Sequence, residues 1–78
     1  MSDYKPISCD VYSRYELNII YHQSLRVYWI DEAGMDHCEV LEPQDLQTKS
    51  GEEFLIARAR HNRTVRMRLD RIARTEEM

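Results

Sequence analysis

A chain of 78 residues has room for one domain with a small core, which excludes a second domain and leaves little space for a deep enzyme pocket. At 42% hydrophobic and 32% charged residues it is too apolar to be disordered, yet it holds no apolar run of the roughly 18–20 residues needed to cross a bilayer. A net charge of −3 excludes a uniformly basic nucleic-acid binder.

That charge is unevenly divided. Residues 1–57 carry four cations against eleven acids, whereas residues 58–78 carry seven arginines against three acids. The opening "MSDYKPIS" has no apolar stretch of the secretory-signal type, so a cytoplasmic location without a membrane is expected. Cys9 and Cys38 have no CxxC partner spacing, and the expectation is two reduced, mostly buried thiols. His22, His37 and His61 are scattered, and no Ser-His-Asp or Cys-His arrangement is visible; neither a metal, a cofactor nor catalysis is expected.

In chain order, a helix is predicted first, over about 10–21. Asp10 is the N-cap candidate, because its carboxylate can accept from the free N–H groups of a first turn. Val11, Tyr15 and Ile19 recur at i, i+4, i+8, with Tyr12 beside them and Leu17 and Ile20 widening the stripe. After "HQS" the period changes to two. Leu25, Val27 and Trp29 face one way, Arg26 and Tyr28 the other, as in a half-buried strand. "DEAGMD" turns the chain into a second strand through Cys38, Val40 and Leu41, which Pro43 is expected to stop. A short turn or strand around Leu46 follows, then strands in "EFLIARAR" and "TVRMRL".

With His61-Asn62-Arg63 as a three-residue loop, the last hairpin would oppose Ala59 to Val65, Ala57 to Met67 and Leu55 to Leu69. Outside, Arg58 would face Arg66, an unfavourable like-charge pair. The inward series Val65, Met67, Leu69 breaks at Arg71 and resumes at Ile72. A slip of one residue flips a strand's faces, so a bend is predicted at Asp70-Arg71, with "RIART" forming a last strand on a different edge. The sum is a single domain over 1–78, mostly β with one N-terminal helix, as a small, partly open antiparallel barrel of about five strands over about 24–75.

The order of these features resembles a known family. "YKPISCDVYSRYEL" is similar to the N-terminal signature of the Rho-binding antiterminators, the bacterial Rof proteins, at Tyr4, Pro6, Ile7, Cys9, Asp10, Tyr12, Glu16 and Leu17. "MRLDRI" at 67–72 resembles that family's closing strand, and "EEFLI" at 52–56 its acidic-aromatic strand start. The chain departs from the pattern at Val11 and Ser13, where acids are common, and at Ile19, which replaces a second cysteine. The resemblance implies an Sm-like barrel preceded by a helix. It also implies a non-enzymatic inhibitor that binds the N-terminal primary RNA-binding site of the transcription terminator Rho and blocks RNA loading, with Asp10, Tyr12 and Glu16 in the contact; the domain itself is expected to be a monomer.

Packing offers its own account of each residue. Asp10 can cap, Tyr12 and Tyr15 can pack the helix on the sheet, and Trp29 can fill the core. Glu16 has no such account. Arg58, Arg60, Arg66 and Arg68 either pair with Glu39, Glu42, Glu52 or Glu53 or track phosphates. An Sm-like RNA-binding module using this last hairpin is therefore the alternative to a Rho inhibitor that makes no direct contact with nucleic acid.

Overall fold

The computed structural model describes residues 3–78; Met1 and Ser2, at the start of the predicted domain, lie outside the described residues. The elements are α1 (Cys9–Ile20), β1 (Leu25–Ile30), β2 (Asp36–Lys49), β3 (Glu52–Arg58), β4 (Thr64–Arg68) and β5 (Ile72–Glu77), with 3-10 turns at Arg60–Asn62 and Leu69–Arg71. The five strands form one antiparallel sheet in the order β4-β3-β2-β1-β5. The sheet is not closed, since β4 and β5 are its two edges, as expected of a mostly β, partly open fold behind one N-terminal helix.

Helix α1 begins one residue earlier than predicted because Ser8, not Asp10, is its N-cap. The Ser8 hydroxyl accepts from the Val11 N–H at 3.3 Å, and Asp10 sits inside the first turn. A hydroxyl cap satisfies the same orphan donor, and the carboxylate one turn in still favours the positive end of the helix dipole. The helix ends in a Schellman motif: the Gln23 N–H donates to the Asn18 carbonyl at 2.8 Å and the His22 N–H to the Ile19 carbonyl at 3.2 Å. His22 takes the left-handed position, φ +53°, that glycine usually fills.

Strand β1 is as periodic in space as in sequence: Leu25, Val27 and Trp29 are buried, while Arg26 and Tyr28 face out. Strand β2 corrects an expectation. Pro43 does not stop it; one strand of 14 residues runs from Asp36 to Lys49. Its first half pairs with β1, Leu41 opposite Leu25, and its second half pairs with β3, Lys49 opposite Glu52. The register shifts between Pro43 and Asp45, so proline stands at the bulge where the strand changes partner and the ladder is already interrupted. Ser50 and Gly51, both at positive φ, make the two-residue loop into β3.

The β3–β4 hairpin corrects another. Its loop is Arg60–Asn62, with His61 and Asn62 at positive φ, one position earlier than predicted. Leu55 therefore faces Met67, and Ala57 faces Val65. Moving the pairing by two residues leaves every side chain on its expected face, because the strand period is two. It also removes the like-charge pair: Arg58 lies opposite Thr64, and Arg66 opposite Ile56.

The bend at Asp70-Arg71 is present. The turn Leu69–Arg71 carries the chain across to β5, which pairs with β1 on the far edge, Ile72 opposite Trp29. Ile72 joins a core of Tyr15, Leu25, Val27, Trp29, Leu41, Leu55, Met67 and Leu69. The cysteines are free, but both are exposed, contrary to the expected burial. Cys9 sits on the outer side of the helix start, and Cys38 points outward opposite Tyr28 on β1.

Candidate functional site

Helix α1 lies against β2, and the two elements bound an open groove. Tyr12, Glu16, Ile19 and Ile20 come from the helix, Asp45 and Leu46 from the strand beyond the bulge. Tyr12 and Ile19 lean on the core beside buried Tyr15, as a 3.6-residue period requires. Glu16 follows Tyr12 by four positions and so stands on the same side, further from the sheet. Burial pushes the Tyr12 phenol pKa up, and the carboxylates of Glu53, Glu16 and Asp45 push it the same way. Three acids thus surround one phenol at the wall of a half-apolar groove.

Two of the three residues carried over from the family resemblance, Tyr12 and Glu16, meet here. Asp10 does not: two residues before Tyr12, it projects roughly 200° round the helix from it. Asp45 and Leu46 are site residues that the sequence alone does not single out, since it leaves "PQDLQTK" as a short turn or strand around Leu46. The usable signal was the apolar spacing Leu41–Pro43–Leu46, which continues a strand across a bulge.

The arginine surface on the other side is built differently. Arg58 Nη2 lies 3.1 Å from Glu42 Oε1, and Arg63 pairs with Glu39. Arg66 rests its guanidinium on the Phe54 ring, 4.6 Å from the centroid, with Glu32 at 3.9 Å. Arg68 forks onto Asp70, Nε to Oδ1 at 3.0 Å and Nη2 to Oδ2 at 2.7 Å, and its Nη1 reaches Asp3 at 2.8 Å. Hydrogen bonds to Asp70 and Asp3 raise the Arg68 pKa further. Burial would raise the Asp70 carboxyl, but Arg68 and the Lys5 N–H hold it below the usual carboxylate range. Of the four arginines proposed as a basic surface, Arg60 alone makes no ion pair among the described residues. By contrast Glu16 and Asp45 meet no cation among the described residues. Glu16 and Asp45, two acids with no ion pair among the described residues, flank the α1–β2 groove, while most of the arginines are neutralised by their own chain.

No protein-family model matches the chain, and no curated protein matches it. Among solved structures, proteasome accessory factor B/C (PafBC) of Arthrobacter aurescens is similar in fold, with a TM-score of 0.75 at 14% identity. The match covers 96% of this chain and 12% of that one. It is a likeness of backbone architecture, and this chain spans about an eighth of that protein's length. The likeness to the Rho-binding antiterminators rests on the residues quoted above. No helix among the described residues is long and apolar enough to cross a membrane.

Proposed function

We propose that this protein is a non-enzymatic regulator that binds the N-terminal RNA-binding site of the transcription terminator Rho and blocks RNA loading. The observation that carries this reading is a pair of acids without an ion pair among the described residues, set on two elements at one groove. Glu16 and Asp45 stand at a groove beside Tyr12 with no cation of their own, so they are available to a surface built to bind phosphates. Carboxylates offered to such a surface replace phosphate charge, and an aromatic ring replaces a stacked base.

The alternative, an RNA-binding module using Arg58, Arg60, Arg66 and Arg68, meets an electrostatic obstacle. Phosphates would have to displace Glu42, Asp3 and Asp70 from arginines already held at 2.7–3.1 Å. The deciding experiment is size-exclusion chromatography of the protein with Rho and, separately, with a short pyrimidine-rich RNA. Co-elution with Rho that the RNA competes away supports the proposal. Co-elution with RNA and not with Rho transfers the function to the arginine hairpin.

A further inference from the structure

Helix α1 is apolar on two sides. Tyr15, Tyr12 and Ile19 account for the side on the sheet. On the far side Leu17, Ile20 and Tyr21 are 51%, 65% and 74% exposed. Their spacing makes them neighbours on the helix surface, and Leu17 lies roughly 200° from Tyr15. A short helix with a second, solvent-facing apolar stripe has more apolar surface than its fold uses, and this marks a contact with something else. The stripe is a ridge. Ile20 also lines the groove with Glu16 and Asp45, and Leu17 and Tyr21 border a second groove with Arg14, Gln23 and Glu77.

We infer that Leu17, Ile20 and Tyr21 form the apolar anchor of the docking surface, and that the partner presents a concave apolar pocket rimmed by lysine or arginine. The inference rests on the function proposed above and adds its energetic centre. Charge selects this occupant. Glu16 and Asp45 flank the ridge, and Asp10 stands seven positions before Leu17 on the same helix face. All three lack an ion pair among the described residues, and Arg14 is the one helix cation nearby. Two copies of the chain meeting through this ridge would oppose like charges; a basic rim would complement them. Exposed apolar side chains that insert into a pocket supply affinity that salt does not screen, while the acids around them set approach and selectivity.

The test measures binding to the Rho hexamer across a salt series for the native protein and for a triple variant, Leu17→Gln, Ile20→Gln and Tyr21→Gln. Glutamine keeps helix propensity and leaves net charge unchanged. The variant should unfold within a few degrees of the native chain and bind at least tenfold more weakly, with the salt dependence of binding retained. If the triple variant unfolds, Tyr21→Gln alone, at the most exposed of the three positions, should still weaken binding about threefold. Equal affinity of variant and native protein overturns the anchor and leaves the proposed function standing. Failure of the native protein to bind Rho overturns the function and this partner together. Sedimentation of the native protein as a dimer, with the triple variant a monomer, assigns the ridge to a second copy and overturns the basic-rimmed partner.

Discussion

Arg68 and Asp70 form a two-bond fork across the bend between β4 and β5, with distances of 3.0 and 2.7 Å, and both side chains are about nine-tenths buried. The pair fixes the turn from which the last strand leaves for the opposite edge of the sheet. It also anchors the N-terminal segment, since the Lys5 N–H donates to Asp70 and Asp3 accepts from Arg68. Among the described residues, Asp70→Ala would leave the Arg68 guanidinium with the exposed Asp3, the more distant Glu52 and the face of the Tyr4 ring. Loss of one partner from a nearly buried pair costs about 3 kcal/mol, less what Asp3 recovers, so a destabilisation of about 2 kcal/mol is expected. In a domain of this size that lowers the thermal midpoint by roughly 8–16 °C. A midpoint unchanged in calorimetry would show that the fork does not hold the bend.

The same pair sets a pH dependence. The Asp70 carboxyl is held below its ordinary value of 3.8, so the folded chain binds fewer protons there than the unfolded chain. Its contribution is present above that value and is lost as the pH falls through the lower folded value. Asp3, beside Arg68, and Asp31, which accepts a hydrogen bond from His37, are shifted in the same direction. The thermal midpoint of the native protein should therefore fall as the pH drops below about 4. Asp70→Asn should start lower and fall less steeply over that range. Parallel curves for the two proteins would remove Asp70 from the acid transition.

The helix start offers a test by comparison. Ser8 accepts the Val11 N–H, whereas Asp10 interacts with the first turn only through charge. Ser8→Ala should cost about 1 kcal/mol and Asp10→Ala about 0.3–0.5 kcal/mol, measured by urea unfolding. The opposite ranking would return the cap to Asp10.

Both thiols should react with a disulfide-type reagent in the native protein, without denaturant, because Cys9 and Cys38 are exposed and unbonded. Two equivalents titrated before unfolding is the expected count; a thiol that reacts only after unfolding would be buried.

The sheet was legible because period-two alternation survives errors in the turns. The β3–β4 loop was misplaced by one residue, which moved the pairing by two, and Leu55, Ala57, Val65 and Met67 kept their faces. The break between Leu69 and Ile72 marked the bend, since a one-residue slip cannot be hidden in a strand. Pro43 misled because a proline that ends a strand and a proline at a bulge look alike in one dimension; what separates them is pairing with β1 before it and β3 after it. The cysteines misled because a small apolar side chain is tolerated as well on the open face of a helix start, at Cys9, as on the outer face of a strand, at Cys38. The strand wall of the groove lay beyond that proline. Asp45 and Leu46 could be placed beside Tyr12 and Glu16 only once β2 was one strand.

Charge reversal should divide the acids into those at the groove and those away from it. Glu16 and Asp45 face the same space beside Tyr12, while Asp10 lies round the helix. Glu16→Lys removes an attraction to a basic partner and adds a repulsion, so Rho affinity should fall at least tenfold, about 1.4 kcal/mol. Asp45→Lys, on a different element, should do the same, and each should make the affinity less dependent on salt. Asp10→Lys should have the smaller effect on binding, although it also costs some helix stability through the dipole. All three are surface positions, so thermal unfolding should move little for Glu16→Lys and Asp45→Lys. Isothermal titration against Rho at two ionic strengths reads all of this. If Asp10→Lys weakens binding as much as the groove variants, the acids act as a diffuse field and not through the α1–β2 groove. If Asp45→Lys is silent while Glu16→Lys is not, the helix docks alone and the strand wall takes no part.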